Sequence, residues 1–334
     1  PAWKAGLGRY KKLHVKDITV FRILGIQKQA DKVERTLKSV HGLVEEGLYR
    51  LRPANTPALC FSSRTDKGVH AVCNTAHVDL SRRTEGTFYD PYVITQQLNR
   101  YFKKTVTDIR VHKTVVVPPT FHARFDADGR RYLYRLGVAP TDAAKSRFDV
   151  EAFLPTAEIN NIYVVRPPFD TERVQSACRM LEGVHDFATF GAALPKNSKP
   201  RETTRIIHKI SLTPGRPLLE PQFDPSASHL QFWDIIVEGK SFLYKQVRRT
   251  VAVLVAVAQG RISLDDVRYL LDNPSPQNWN SRAQTAPPCG LFLLNVGYPE
   301  HVLCVDSLHA VGDDDGDEKM KTHQDENSCE NDVR

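Results

Sequence analysis

Ser63-Arg64-Thr65-Asp66-Lys67-Gly68-Val69-His70-Ala71 is a polar cluster set between two apolar runs. Ala58-Leu59-Cys60-Phe61 leads into it, and Val72 to Leu80 leads away with the alternation of a half-buried strand. The cluster therefore sits where one strand ends, on a turn in which Gly68 supplies a backbone angle closed to most residues. Scaffold-held turns of this kind display reactive side chains. Asp66 is the one acid in the cluster, and Arg64 stands two residues before it. An aspartate that only caps its own turn would look the same. The rest of the chain decides between the two readings.

The chain has 334 residues, enough for one large domain or two medium ones with a real core. Its formal net charge of +7 hides an asymmetry: residues 305–334 hold ten acids and three bases, a net of −7, so the preceding 304 residues carry +14. A body that basic fits a polyanionic partner, most simply nucleic acid. The six cysteines (Cys60, Cys73, Cys178, Cys289, Cys304, Cys329) form no C-x-x-C pair. That pattern fits neither a zinc site of common spacing nor a disulfide scaffold, and it points to a reducing, intracellular setting. No apolar run approaches the roughly 18–20 residues that span a bilayer, so no membrane association is expected. The first sixteen residues hold five bases and no acid, the pattern of a basic arm or, more faintly, of an organelle leader.

Apolar spacing (Ile26, Ala30, Val33, Leu37, Val40) places a helix over Gln27–Val44, and Val15–Leu24 gives a weak strand signal. A second helix is expected over Pro91–Phe102, then a strand near Ile109–Val117, closed by Pro118-Pro119. Arg131–Leu136 alternates strictly and reads as a strand; Thr171–Gly183 reads as a helix and Val184–Phe190 as a turn. Strands are expected over Arg205–Leu212, Leu230–Glu238 and Leu291–Tyr298. Phe242–Ala258 is apolar almost all round after Arg249, the mark of a buried helix. Ser263 with Asp266 three residues on opens another helix as a capping arrangement. These elements predict an α+β architecture of two similar units with mixed or antiparallel sheets and helices on one face. The expected boundaries are an atypical segment 1–25, an N-terminal domain 26–118, a C-terminal domain 119–300 and an acidic, disordered tail 301–334.

The standard catalytic kits are absent: there is no G-x-x-x-x-G-K-[ST] loop, G-x-G-x-x-G fingerprint, H-E-x-x-H helix or G-x-S-x-G elbow. What remains is Asp66 in its turn, two tyrosines alternating on a strand, and arginines at junctions. Tyr132 and Tyr134 share one face of their strand, where a ring can stack on an unpaired base or simply fill a core. Arg248 begins the buried helix, where a cation is costly unless an acid lies opposite; Asp66 is the candidate, and a snorkelling arginine is the alternative.

Phe61–Ala71 (F-S-S-R-T-D-K-G-V-H-A) resembles the catalytic motif of the TruA family of pseudouridine synthases, whose core is R-T-D-x-G-V-H. Four further stretches resemble that family in order: Phe121–Leu136, Gly183–Phe190, Phe242–Arg249 and Gly290–Pro299. The S-S-R-T-D opening with S-F-L-Y-K-Q-V-R-R is most similar to an animal branch of the family. The resemblance implies a catalytic cleft between the two units, with Asp66 as the essential catalytic residue. It implies that Tyr132 contacts the target uracil, Arg64 lies by the flipped nucleotide, Arg248 pairs with Asp66 and Leu293 walls the base pocket. It also implies isomerisation of uridine to pseudouridine in RNA, tRNA first and mRNA as an alternative, with no metal or other cofactor. A homodimer is common in the family, and the branch implies a mitochondrial setting, with cytoplasm or nucleus as alternatives. Basic residues Arg82, Arg83, Lys103, Lys104, Arg130, Arg131, Lys196, Arg201 and Lys245 are candidates for holding phosphates.

The chain departs from the family at its start. The family opens with a strand and loop of the Y-x-G-T-x-F-x-G type, which residues 1–25 do not contain. The expectation is a truncated or alternative N-terminus that lacks one strand of the first sheet, exposing an edge and loosening the Asp66 turn. A catalytically weak RNA-binding or RNA-chaperone protein of the same fold is the competing reading.

Overall fold

The computed structural model describes residues 39–84, 87–141, 154–192 and 201–303, and the backbone of 12–20. The 27–38 part of the helix expected over Gln27–Val44, most of the basic arm and the acidic tail from residue 304 on lie outside these residues. The first half runs β1 (Lys12–Val20), α1 (Val40–Tyr49), β2 (Cys60–Phe61), β3 (His70–Asp79), α2 (Pro91–Lys104) and β4 (Ile109–Val116). The second runs β5 (Gly129–Val138), β6 (Tyr163–Val165), α3 (Thr171–Leu181), β7 (Gly183–Asp186), β8 (Thr204–Pro214) and β9 (Gln231–Gly239). It closes with α4 (Gln246–Ala258), α5 (Leu264–Asp272), β10 (Leu291–Gly297) and α6 (Glu300–Leu303).

Local chemistry explains where the helices start. Ser39, Asp90 and Asp170 accept the first free backbone N–H groups of α1, α2 and α3, and Pro91 occupies a helix position that needs no N–H. Ser263 and Asp266 form the expected reciprocal capping box on α5. Helix α4 starts later than the sequence suggests, because Lys245 sits at φ 64° and breaks the backbone after Phe242. Its interior is buried from Thr250 to Ala258, as its all-round apolar pattern predicts.

The strands form one mixed sheet of ten, in the order β4-β1-β3-β10-β5-β9-β8-β7, with β2 added to β3 and β6 to β5. β10 pairs parallel with β3 and β6 parallel with β5; the remaining pairs are antiparallel. The two halves are therefore joined through β10. It runs parallel to β3 at Phe292–His70 and Leu293–Ala71, and antiparallel to β5 from Leu291–Tyr134 to Gly297–Gly129. The His70 ring stacks on Phe292 at 4.4 Å across this seam.

Two apolar clusters support the sheet. One packs Val44, Leu48, Ile94, Leu98 and Phe102 of the first half, and the other packs Leu181, Phe187, Phe190, Val251 and Leu254 of the second. Each cluster reaches into the other half: Val69 of the Asp66 turn sits in the second, and Leu293 and Val296 of β10 sit in the first. Burying one such side chain contributes about 1.5–3 kcal/mol. Tyr132 touches both clusters. The turn is thus anchored by its own valine in the opposite half.

Three sequence expectations are corrected. The N-terminal sheet does not lack a strand, because Lys12–Val20 pairs with both β3 and β4 and occupies the place between them. The described first helix is Val40–Tyr49 and continues past Val44. Residues 183–186 form an edge strand on β8 rather than a turn, with the 3₁₀ turn Ala188–Phe190 following it.

A buried ion pair stands on the face of β5 opposite Tyr134. Arg135 meets Glu158 through two hydrogen bonds of 2.6 and 3.0 Å, and their side chains are 9% and 1% exposed. Arg135 also donates to the carbonyls of Asn161 and Arg216, and Leu218 N donates to Glu158. Such saturation is what allows two charges to remain buried.

Candidate active site

Asp66 lies on a turn strapped at both ends. Before it, Ser62 Oγ donates to Asn74 Oδ1 at 2.7 Å and Asn74 Nδ2 donates back to Ser63 O at 3.0 Å. After it, Val69 N donates to Asp66 O at 3.1 Å, and Gly68 takes φ +81° as the sequence predicts. An alanine at Gly68 would be strained by that angle, and its Cβ would sit 3.0 Å from Pro288 Cγ.

Arg248, in the first turn of α4, reaches across from the second half and donates to Asp66 Oδ2 at 2.9 Å. Its other side is fixed as well, since Nε donates to Ala286 O at 2.8 Å. Next along that segment, Pro287 O accepts from the Tyr134 hydroxyl at 2.6 Å. Tyr134 is fully buried and packs so closely that a Cβ at Gly290 would lie 2.7 Å from its ring. One stretch, residues 286–290, therefore links Tyr134 to the arginine and abuts the turn that carries the aspartate.

Tyr132 stands two residues before Tyr134, on the same face of β5, with Leu293 as its register partner on β10. Leu293 is also the partner of Ala71 at the end of the Asp66 turn, and it is completely buried. The Tyr132 ring meets Phe242 edge-on at 5.3 Å. Burial pushes its phenol up to about 12; Arg130 and a hydrogen bond to Ser63 oppose this, while the charge of Asp66 adds to it. Tyr132 is therefore a neutral ring and hydroxyl at physiological pH. Because its folded value lies above the ordinary 10.0, the unfolded chain gives up this proton first as pH rises. Its stabilising contribution is complete below pH 10 and is lost progressively towards about 12. Ultraviolet titration of the parent against Tyr132→Phe checks this: the parent should contain one more phenol that ionises only near 12.

Asp66, Arg248, Tyr132 and Leu293 are brought together, and Arg64 is exposed at the rim two residues from Asp66. The basic residues do not form one group. Arg130 is a correction: Nε donates to Ser63 Oγ, and its two terminal nitrogens donate to the carbonyls of Ser62, Arg124, Ala127 and Lys240. Its donors fasten the Asp66 turn to the second half and are not free for a phosphate. Arg131, on the opposite face of β5, pairs with Glu238 at 3.0 Å. Arg82, Arg83, Lys103, Lys104 and Arg201 are exposed; Lys245 lies over the Tyr244 ring beside the start of α4, and Lys196 falls outside the described residues. Sequence reasoning missed Asn74, Phe242 and the role of Tyr134. The Pro287-Pro288-Cys289-Gly290 run was the available signal for the last of these.

Cys60, His77 and His122 place donor atoms within 4.8 Å of one another, the one such group of three among the described residues. His77 Nδ1 accepts the Ala123 N–H at 3.0 Å, and His122 Nδ1 accepts those of Arg124 and Phe125. Each neutral ring therefore carries its proton on Nε2, which His122 directs at Cys60 Sγ from 3.9 Å. The group is arranged as a hydrogen-bonded brace for β2, not as a cage of free lone pairs for a cation.

A family model described as "tRNA pseudouridine synthase" matches residues 177–299. The chain is 36% identical over 262 residues to tRNA pseudouridine synthase-like 1 of Mus musculus, covering 78% of this chain and 84% of that protein. The Xenopus laevis protein of the same name is 33% identical over 266 residues, 80% of this chain and 84% of the relative. The tRNA pseudouridine synthase A of Allorhizobium ampelinum is 32% identical over 261 residues, 78% and 86% of the two chains.

Proposed function

The chain belongs to the tRNA pseudouridine synthase family, and from that premise we propose that it isomerises uridine to pseudouridine in tRNA. The reaction breaks the C1′–N1 bond, turns the uracil and forms a C1′–C5 bond; the proton lost from C5 balances the one gained at N1. The target base has to leave its stack before a side chain can reach it. Asp66 carries the chemistry as nucleophile or general base. Arg248 orients it, Tyr132 contacts the uracil with the buried Leu293 paired to it on β10, and Arg64 meets the flipped nucleotide at the rim.

The observation that carries this reading is the 2.9 Å contact between Asp66 and Arg248, made across the two halves of a chain of this family. The catalytically weak alternative rested on a missing strand and on the +14 charge of the body; β1 fills the strand's place, and the charge suits either reading. Tritium release from RNA labelled at uridine C5 tests the proposal. Stoichiometric release on a tRNA transcript is expected, and none on any tRNA would overturn it.

Tyr134→Phe removes the hydroxyl that fixes Pro287 and keeps the ring. A misplacement of about 1 Å transmitted to Arg248 would cost roughly 10- to 100-fold in kcat, with KM little changed. In an Arg248→Gln background the same substitution should add little. Full additivity would show that Tyr134 does not act through Arg248.

A further inference from the structure

Phe125 presents the most exposed aromatic ring among the described residues, at 75%. An isolated exposed apolar side chain needs no explanation. This one differs in how firmly it is held. Its underside packs on the His122 ring, with centroids 4.3 Å apart and planes at 31°. The His122 Nδ1 accepts the backbone N–H groups of Arg124 and Phe125, and Asp126 Oδ2 accepts that of His122 at 2.7 Å. The Phe125 and Asp126 N–H groups also reach His122 O. The loop is thus closed on itself around the histidine, so the ring is exposed without being free to move far.

Its position ties it to the catalytic turn. Arg130 Nη2 donates both to Arg124 O at 3.0 Å and to Ser62 O at 3.3 Å, so one guanidinium spans the Phe125 loop and the stretch leading to Asp66. The Arg124 guanidinium lies 5.8 Å from the centre of the Phe125 ring and is itself exposed. A rigid ring with His122 packed against it and a cation 5.8 Å over it matches a nucleobase and its phosphate, because every base has a π-face and stacking is tolerant of sequence.

Building on the functional reading above, we infer that Phe125, backed by His122 and flanked by Arg124, is a stacking platform for an unpaired base of the RNA other than the target uridine. Extracting the target leaves a neighbouring base without its partner in the stack. Phe125 replaces that partner, and its fixed geometry lowers the ordering cost of doing so.

The test measures binding of the full chain to a tRNA transcript and to a blunt RNA duplex of equal length, which offers no unpaired base. Phe125→Ala should weaken tRNA binding by roughly ten-fold and leave duplex binding unchanged. Phe125→Trp should keep the parental affinity, with its indole fluorescence quenched by tRNA. Equal tRNA affinity of Phe125→Ala and parent, or an equal loss on both RNAs, would overturn the platform. Turnover of the parent is assayed on the same preparation. A parent that shows the binding pattern and forms no pseudouridine overturns the functional reading alone; full turnover with unaltered binding in Phe125→Ala overturns the platform alone.

Discussion

Asp66→Asn is expected to lower kcat by at least about 10⁴-fold, the scale seen when a group that acts on the reacting atoms is removed. The substitution keeps the shape of the side chain and an oxygen that can still accept from Arg248, whose second anchor at Ala286 O is untouched. It removes the negative charge, and with it both the nucleophile and the base. Affinity for the tRNA transcript should stay within a few-fold of the parent, and the melting temperature should fall, because the largely buried Arg248 loses its counter-charge. Tritium release checks the first expectation and equilibrium binding the second. Turnover within ten-fold of the parent would remove Asp66 from the chemistry.

Glu158→Ala is expected to be the most damaging single change to stability. It leaves Arg135 charged, with a side chain only 9% exposed, and takes away two of its four acceptors. Breaking a buried pair from one side costs about 3–5 kcal/mol, a large share of a typical stability of about 5–15 kcal/mol. Leu218 N would lose its acceptor too. Glu158→Gln, which retains one carbonyl oxygen, should cost less. Urea unfolding of the two variants measures the difference, and a loss below about 1 kcal/mol for the alanine variant would show that water replaces the carboxylate.

The Asp66 turn was legible because its signals are local. Gly68 must take a positive φ, Tyr132 and Tyr134 alternate on one strand, and Arg248 opens a helix too apolar to hide a lone cation. The first strand was not, and its register explains why. The pairing of β1 with β3 shifts between Val15 and Ile18 and again between Ile18 and Val20. The first shift adds a residue to β1 and breaks the two-residue rhythm by which a strand is recognised, so the stretch gave only a weak strand signal over Val15–Leu24. Arg130 was misread for another reason. Its acceptors come from residues 62, 63, 124, 127 and 240, and nothing near it in sequence distinguishes a cross-link from a phosphate ligand. Glu158 stands in a polar connection, 23 residues from the arginine that needs it.

The place of β10 bears on how the protein is made. It is the last strand among the described residues and one of the central strands of the sheet, between β3 and β5. β2 covers the Ala76–His77 part of one edge of β3, and during synthesis the His70–Ala71 part of that edge stays open until residues 291–297 emerge. Contacts of such long sequence separation close slowly and expose a pairing edge in the meantime. Arg248, which completes the pair with Asp66, also arrives in the final third of the chain. Between the making of Asp66 and that of Arg248 the aspartate has no counter-charge, and the two halves of the sheet join only when β10 is threaded between β3 and β5.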